Sequence, residues 1–126
     1  MGCLEESFMT GSDCSPVFLD SLVTNNLDGP VALDAMDIDG DFDMDIVAMG
    51  NVNDDLVWLE NDGMNNFTQH TVEPNLIDVS DVVAGDVDND GDIDFVGSMG
   101  FTSTNDLAWW ENDGSQNFTK HVIESG

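Results

Sequence analysis

The fold is decided by Asp86-Val87-Asp88-Asn89-Asp90-Gly91-Asp92-Ile93-Asp94, which has an aspartate at positions 1, 3, 5, 7 and 9 and a glycine at position 6. Calcium takes roughly six to eight oxygen ligands at about 2.3–2.6 Å, and a loop that curls around one ion supplies about that number. Gly91 permits the sharp turn because glycine adopts backbone angles that are closed to other residues. The predicted ligands are the side chains of Asp86, Asp88, Asp90 and Asp94 and the main-chain carbonyl of Asp92.

A second acidic run, Asp37-Ile38-Asp39-Gly40-Asp41-Phe42-Asp43-Met44-Asp45, has the same spacing of aspartates. Its glycine stands at position 4 and Phe42 holds position 6, so this run fits the calcium-loop pattern less closely. One such run alone is equally well explained as a solvated acidic turn. A duplicate in the same register favours cation binding, because the closely spaced carboxylates repel one another without a cation. The sequence therefore predicts two Ca²⁺ sites.

The charge of the chain limits its partners. Among 126 residues, 27 are acidic and only Lys120 is basic, which gives a formal net charge of −26. Nucleic acids and anionic membranes are bound through Lys and Arg, so neither is expected as a partner. No apolar stretch approaches the roughly 18 residues of a membrane span, and membrane insertion is not expected. The charge favours cations, or surroundings rich in salt or calcium.

The N-terminal residues lack the basic start and apolar core of a signal peptide, so we expect either that a signal has been removed or that the sequence is a fragment. Cys3 and Cys14 are the only cysteines and lie close in sequence. A disulfide between them is predicted for an oxidising compartment, and the alternative is two unrelated thiols.

Self-comparison of the chain shows a repeat of about 50 residues, a length typical of repeat architectures. The two acidic runs are 49 residues apart, and the segments that follow them, 55–63 and 106–114, are 51 residues apart. A fainter copy at 18–24 lies 49 residues before 67–73. We therefore expect a degenerate partial repeat at 1–28, the last strands of a blade-like unit, followed by full repeats at 29–76 and 77–126.

Each full repeat is predicted to form four short strands and no helix, because its segments are about five residues long and rich in Val, Ile, Phe, Trp and Thr. The first strand runs into the acidic loop, the second leaves it, the third carries tryptophan and the fourth carries Phe-Thr-x-His. The Asn-Asp-Gly segments at 61–63 and 112–114 are hairpin-turn signals. An EF-hand is excluded, because Ala48 and Gly97 stand where its bidentate glutamate belongs.

The combined pattern Asp-x-Asp-x-Asp-Gly-x-x-Asp, Trp-x-Glu-Asn-x-Gly and Asn-Phe-x-x-His-x-Ile resembles FG-GAP/VCBS-type repeats. These are four-stranded blades of β-propellers, as in integrin α-subunits and many secreted or surface proteins. The Phe-Gly and Gly-Ala-Pro signatures are missing from this chain. The resemblance implies an extracellular or cell-surface protein with one calcium between the first two strands of each blade. Carried over to the first repeat, it implies as ligands the side chains of Asp37, Asp39, Asp41 and Asp45 and the carbonyl of Asp43.

The expected fold class is all-β, with two four-stranded propeller-type blades and an N-terminal remnant of a third. Closed propellers need about four to eight blades. We therefore expect an incomplete propeller that other chains complete or extend, as a homo-oligomer or filament through its blade edges. A fragment of a larger propeller-bearing protein is the alternative.

Three tryptophans, Trp58, Trp109 and Trp110, suit either contact with sugar rings or packing between blades, and packing is favoured. Because neighbouring strand residues point to opposite faces, one of Trp109 and Trp110 is expected at an interface. The alternative function is a lectin-like carbohydrate- or protein-binding module, with Trp109 or Trp110 and residues 101–105 as its contact surface.

The remaining polar residues predict structure rather than catalysis. His70 and His121 have no Cys or second His nearby, so a structural role is favoured over zinc binding. Glu60 and Glu111 belong to different repeats and are expected to form hydrogen bonds at strand edges rather than an acid/base pair. No Ser-His-Asp or Cys-His arrangement occurs, and an enzyme is not expected.

Two sequons, at Asn66 and Asn117, are candidate N-glycosylation sites, although Asn-Phe also suits a turn role. Taken together, the sequence predicts a secreted, calcium-stabilised repeat protein with a structural or adhesive role that associates with further blades.

Overall fold

A computed structural model of the protein describes residues 23–24, 27, 29–50, 54–100 and 106–124. This part of the chain contains β-strands and no helix, which confirms the expected fold class there. The strands, in chain order, are β1 (Pro30–Met36), β2 (Asp45–Gly50), β3 (Leu56–Asn61), β4 (Phe67–Glu73), β5 (Val79–Gly85), β6 (Asp94–Met99), β7 (Asp106–Asn112) and β8 (Phe118–Glu124).

The strands form two antiparallel sheets in which every strand pairs with its neighbour in sequence. The first sheet has the order β1-β2-β3-β4, and the second has the order β5-β6-β7-β8. Both sheets have pairing irregularities at matching places, near the start of the first strand and near the start of the third. Strands β1–β4 of the first sheet lie within residues 29–76, and strands β5–β8 of the second lie within 77–126.

Among the described residues there is no closed propeller, only these two blade-like sheets. The predicted N-terminal remnant at 1–28 lies almost entirely outside the described residues. Of that segment, residues 23, 24 and 27 are described, and none of them is in a strand.

The core lies between the two sheets, where β5 contacts β1 and β2. Apolar side chains from both sheets meet there because each sheet has one largely apolar face to remove from water. From the first sheet the core takes Val47, Met49, Leu56 and Trp58, and from the second it takes Val82, Phe95, Met99, Ala108 and Trp110. The expectation that Trp109 and Trp110 separate is confirmed, since Trp110 is buried between the sheets and Trp109 is half-buried on the opposite face.

Gly97 in β6 lies close to the first sheet in the core. A Cβ at this position would lie 2.5 Å from Met49 Cε of the first sheet and 3.0 Å from Trp110 Cζ3. The lack of a side chain therefore makes room for Met49 against the Trp110 ring.

We predict that Gly97→Val lowers the free energy of unfolding by about 1–3 kcal/mol, because overpacking a close-fitting core forces side chains from their preferred rotamers. Gly85→Val is the matched control, since a Cβ at Gly85 meets nothing within 4 Å and the change should stay within about 0.5 kcal/mol. Urea unfolding of the three proteins measures both effects. Equal stability of the two variants would contradict the packing described between the sheets.

Candidate metal centres

Each acidic run forms the loop between the first and second strands of its sheet. The first loop follows β1 and ends where Asp45 begins β2, and the second follows β5 and ends where Asp94 begins β6. The turns are tight because positions 4 and 6 of both loops have positive φ: Gly40 at 83° and Phe42 at 75°, Asn89 at 65° and Gly91 at 99°. The two loops therefore share one backbone course although their glycines stand at different positions.

Short-range hydrogen bonds curl the first loop around its own carboxylates. Asp37 accepts from the backbone N–H of Gly40 at 2.8 Å and, through its other oxygen, from that of Phe42 at 3.0 Å. Asp39 accepts from the N–H of Asp41 at 3.1 Å. These local bonds are the reason why a short acidic segment turns inward instead of remaining extended.

The second loop repeats this pattern with small changes in distance. Asp86 accepts from the backbone N–H groups of Asp90 at 3.1 Å and Gly91 at 3.0 Å, and Asp88 also accepts from Asp90 at 3.2 Å. Two loops of different sequence thus form the same carboxylate cradle.

The last aspartate of each loop is fully buried and links three parts of its sheet. Asp45 accepts from the N–H of Ile38 in the loop and from the N–H of Asn61 at the end of β3, both at 2.9 Å. Asp94 makes the equivalent bonds to Val87 and Asn112, also at 2.9 Å. A buried carboxylate needs such donors to offset its loss of hydration.

The asparagine and glycine of each hairpin turn support the loop, a role that the sequence interpretation did not assign to them. The side chain of Asn61 donates to the carbonyl of Met44, and that of Asn112 donates to the carbonyl of Ile93, each at 3.1 Å. A Cβ on Gly63 would lie 2.5 Å from Asp43 Oδ2, and Gly63 has a φ of 76°, so a side chain there would displace the Asp43 carboxylate and strain the turn. The Trp-x-Glu-Asn-x-Gly motif is the sequence signal of this support.

Three carboxylates converge in each loop. Their ligand oxygens lie within 4.8 Å of one another in the groups Asp37, Asp39, Asp45 and Asp86, Asp88, Asp94. Two oxygens on opposite sides of one calcium ion are separated by about 4.6–5.2 Å, so these groups fit a single ion. All donors are hard carboxylate oxygens, which suit Ca²⁺ or Mg²⁺ rather than a softer metal. Either loop could therefore hold a divalent cation.

The other four predicted ligand residues lie outside these three-carboxylate groups. Asp41 Oδ1 accepts from the N–H of Asp43 at 2.8 Å, and Asp90 Oδ1 accepts from the N–H of Asp92 at 2.9 Å. Coordination by Asp41 and Asp90, and by the carbonyls of Asp43 and Asp92, stays a prediction.

The convergence of carboxylates changes their acidity. Desolvation raises the pKa of Asp39 above its ordinary value of 3.8, and the carboxylates of Asp41 and Asp45 raise it further. In the second loop, desolvation and the Asp90 carboxylate raise the pKa of Asp88 in the same way. Each loop thus concentrates negative charge that a bound cation would stabilise.

Each sheet also carries a Trp–His–Glu cluster on β3–β4 or β7–β8. The rings of Trp58 and His70 stack with centroids 4.6 Å apart, and His70 Nε2 lies 2.7 Å from Glu60 Oε2. The equivalent stack in the second sheet has a centroid separation of 4.7 Å, with a His121–Glu111 distance of 2.6 Å. The two histidines bind side chains of their own sheet, in agreement with a structural role, and the two glutamates pair with histidine rather than with each other.

The two sequon asparagines are exposed and lie in hairpin turns. Asn66 Nδ2 donates to Asp62 at 2.7 Å, and Asn117 Nδ2 donates to Asp113 at 2.9 Å. These bonds lower the pKa of both aspartates and show the turn role directly. Glycosylation stays a prediction, and Cys3 and Cys14 lie outside the described residues.

Phe42 combines a strained backbone with an exposed side chain. Its φ of 75° belongs to the left-handed region, and its side chain is 93% exposed. For a residue with a Cβ this conformation costs about 1–2 kcal/mol, and the exposed ring makes little contact in return.

Phe42→Gly is therefore expected to raise the free energy of unfolding by about 1 kcal/mol, once the greater chain entropy of glycine is subtracted from the relieved strain. Phe42→Ala removes the ring and keeps the Cβ, so it should change stability by less than about 0.5 kcal/mol. Chemical denaturation without added metal separates the two variants. An equal increase in the free energy of unfolding of both variants would assign the effect to loss of the ring and would refute backbone strain.

Within the described residues, no helix has the length and apolar character of a membrane span.

Searches for similar proteins gave no match among curated proteins and none among solved structures. A family model described as the FG-GAP-like repeat matches residues 37–97, a span that begins at the first aspartate of the first loop and includes both candidate metal loops. Residues 37–97 of this chain are therefore similar to the FG-GAP-like repeat.

Proposed function

We propose that this chain is a calcium-stabilised pair of β-propeller-type blades with a structural or adhesive, non-enzymatic role outside the cell. The observation that carries the proposal is the recurrence of one three-carboxylate group at the same place in both sheets. A single acidic cluster is common on protein surfaces. Two equivalent clusters, each closed by a buried aspartate, favour a bound ion as the reason for the arrangement.

The ion would act by joining neighbouring strands. Asp37 and Asp39 follow β1, whereas Asp45 belongs to β2 and is bonded to the end of β3. A cation held by these three residues would connect β1, β2 and β3, so binding energy would become folding energy. The net charge of −26 also suits a calcium-rich environment, in which bound and screening cations reduce repulsion within the chain.

Removal of calcium is expected to lower the melting temperature. At a free calcium concentration about 100 times Kd, each site contributes about 2.7 kcal/mol of stability. Calorimetry should therefore give a lower Tm in EDTA than in calcium, with sodium chloride added to match ionic strength and so control for general screening. An unchanged Tm would refute the cation role.

Variants locate the ions in the same experiment. Asp39→Ala and Asp88→Ala should each reduce the calcium stoichiometry measured by titration calorimetry from two to one, and the double variant should bind none. Asp81→Ala is the control, because it removes the same charge from an exposed residue of β5 that lies outside both groups. Loss of calcium from the control alone would place the ions elsewhere.

A second candidate function, glycan binding, is favoured by a cleft between the sheets. The cleft has a volume of about 540 Å³ and combines carboxylate, amide and aromatic groups, which include Asp39, Trp58, Glu60, His70, Asn117 and Phe118. Sugar hydroxyls both donate to carboxylates and accept from amides. This location differs from the contact surface expected from the sequence: Trp110 is 1% exposed and cannot reach a surface glycan, and residues 101–105 lie outside the described residues.

Asn117 and Asn66 provide a matched pair for testing the cleft. Both donate to the aspartate of their own hairpin turn, but only Asn117 lines the cleft. If the cleft binds glycans, Asn117→Ala should reduce glycan-array binding at least about tenfold while Asn66→Ala retains it. Equal binding by the two variants, or no binding by the parent protein, would remove this candidate.

A further inference from the structure

The cleft between the two sheets has walls of different chemistry. The wall from the first sheet carries the carboxylates of Asp39 and Glu60 beside the rings of Trp58 and His70. The wall from the second sheet is formed by residues 115–118 of the β7–β8 hairpin, which provide a hydroxyl, two amides and a phenyl ring. A ligand in the cleft would therefore meet acidic and aromatic groups on one side and neutral polar groups on the other.

One buried donor at the cleft has no acceptor. Trp58 is 5% exposed, and its indole N–H has no hydrogen-bond partner within the described part of the chain. The indole N–H of Trp110, by contrast, donates to Glu73. Trp109, the repeat equivalent of Trp58, also has an unpartnered N–H, but it is not among the residues that line the cleft. A buried N–H without an acceptor is unfavourable, so a ligand oxygen at this wall would stabilise the site.

The charge of the cleft favours a cationic ligand over an anionic one. Lys120 is the one lysine or arginine of the chain, and it lies outside the cleft, 3.0 Å from Glu73. Within the cleft, His70 Nε2 lies 2.7 Å from Glu60 Oε2, and the Glu60 carboxylate has no other partner among the described residues. A positive group between Asp39 and Glu60 would relieve the repulsion of their like charges.

The size and the neutral wall of the cleft favour a sugar over a simple amine. A volume of about 540 Å³ falls within the range of sites for small molecules, roughly 300–1,000 Å³. Sugar hydroxyls both donate and accept hydrogen bonds, as do the side chains of Ser115, Gln116 and Asn117 on the second wall. A hydroxyl oxygen is also the kind of acceptor that the Trp58 N–H lacks.

We propose that the cleft binds an amino sugar, with its protonated amine between the Asp39 and Glu60 carboxylates and a hydroxyl oxygen at the Trp58 N–H. This inference rests on the glycan-binding candidate and narrows it to glycans that contain a free hexosamine. Neutral sugars bind more weakly because they do not offset the charge of the two carboxylates. Acidic sugars are rejected by those carboxylates and by the net charge of −26.

The amino sugar and the first metal centre share one residue. Asp39 lines the cleft and also belongs to the three-carboxylate group of the first loop. A cation held by that group would offset the same negative charge as the sugar amine, so each ligand weakens the binding of the other. Asp88, the equivalent residue of the second loop, is not among the residues that line the cleft, and the second centre should not take part in this competition.

The first test compares three disaccharides with one β1,4-linked skeleton and different groups at carbon 2. They are cellobiose, with a hydroxyl; diacetylchitobiose, with a neutral amide; and the glucosamine disaccharide, with an ammonium group. Titration calorimetry in EDTA should show the glucosamine disaccharide binding at least about tenfold more tightly than the other two, because charge-assisted hydrogen bonds are roughly twice as strong as neutral ones. This comparison needs no variant and decides the proposal by itself.

A matched pair of glutamates then tests the position of the amine. Glu60→Gln should weaken binding of the glucosamine disaccharide about tenfold or more. Glu111→Gln is the control, because it removes the same charge and an equivalent histidine pair from the second sheet, outside the cleft. An equal loss in the two variants would reduce the binding to general attraction by an acidic chain.

Calcium tests the shared residue. With ionic strength matched by sodium chloride, calcium should weaken binding of the glucosamine disaccharide about fivefold or more. Asp39→Asn should abolish this calcium effect, whereas Asp81→Asn, on an exposed residue outside both the cleft and the metal groups, should retain it. An affinity that calcium leaves unchanged, in a protein whose Tm it raises, would overturn the shared role of Asp39.

Other outcomes would overturn the amino-sugar proposal and leave the earlier ones standing or not. Equal affinity for the three disaccharides would overturn the amine and keep the glycan candidate, whereas no binding of any of them would remove both. Equally tight binding of 1,5-diaminopentane would assign the cleft to amines without a sugar. If calcium changes neither Tm nor sugar affinity, the metal role fails while a preference for the glucosamine disaccharide still supports the amino-sugar site.

Discussion

The structure depends on one buried carboxylate in each sheet. Asp45 and Asp94 are fully excluded from water, yet each stands at the start of a strand and accepts backbone N–H groups from the acidic loop and from the third strand. An isolated buried carboxylate is strongly unfavourable, so its donors must all be in place at once. This requirement fixes the path of the loop, the entry of the second strand and the end of the third together, and the local geometry of the loop follows from it.

The same constraint explains why the hairpin turn and the acidic loop lie at one end of each sheet. Asn61 and Asn112 provide their backbone N–H to the buried aspartate and their side-chain amide to the residue just before it. The glycines of the Asn-Asp-Gly turns then allow close approach to Asp43 and Asp92. A motif that first suggests only a turn is therefore part of the framework around the candidate metal centre.

Much of the fold could be predicted from the sequence because it repeats. Alternation of short β-rich segments with turn signals predicted eight strands in the observed order. The spacing of aspartates predicted eight side-chain ligands, of which six converge in two groups. The role of Asn61 and Asn112 escaped prediction, because Asn-Asp-Gly also suits a plain hairpin turn and the sequence does not show that this turn lies against the acidic loop. The sequence also could not predict that the two loops share one backbone conformation. Phe42 adopts a left-handed conformation that residue preferences assign to glycine, because the surrounding hydrogen bonds impose it.

Residues at equivalent positions of the two repeats differ in how deeply they are buried. Trp58 and Trp109 stack on histidine in the same way, but one is covered by a neighbouring sheet and the other is only half-buried. Sequence comparison alone treats them alike, since the difference arises from the position of each sheet in the pair. In a repeat protein, position along the array sets the burial of each copy.

Because basic residues are so scarce, the chain has a single site for trypsin, and that site lies at the contact between the sheets. Trypsin cleaves after lysine and arginine, and Lys120 is the one such residue in the chain. It lies inside β8, with its ammonium group held by Glu73 of the other sheet. A protease must open a strand before it can cut within it. The rate of tryptic cleavage after Lys120 therefore measures how often the contact between the two sheets opens, and the measurement needs no added label.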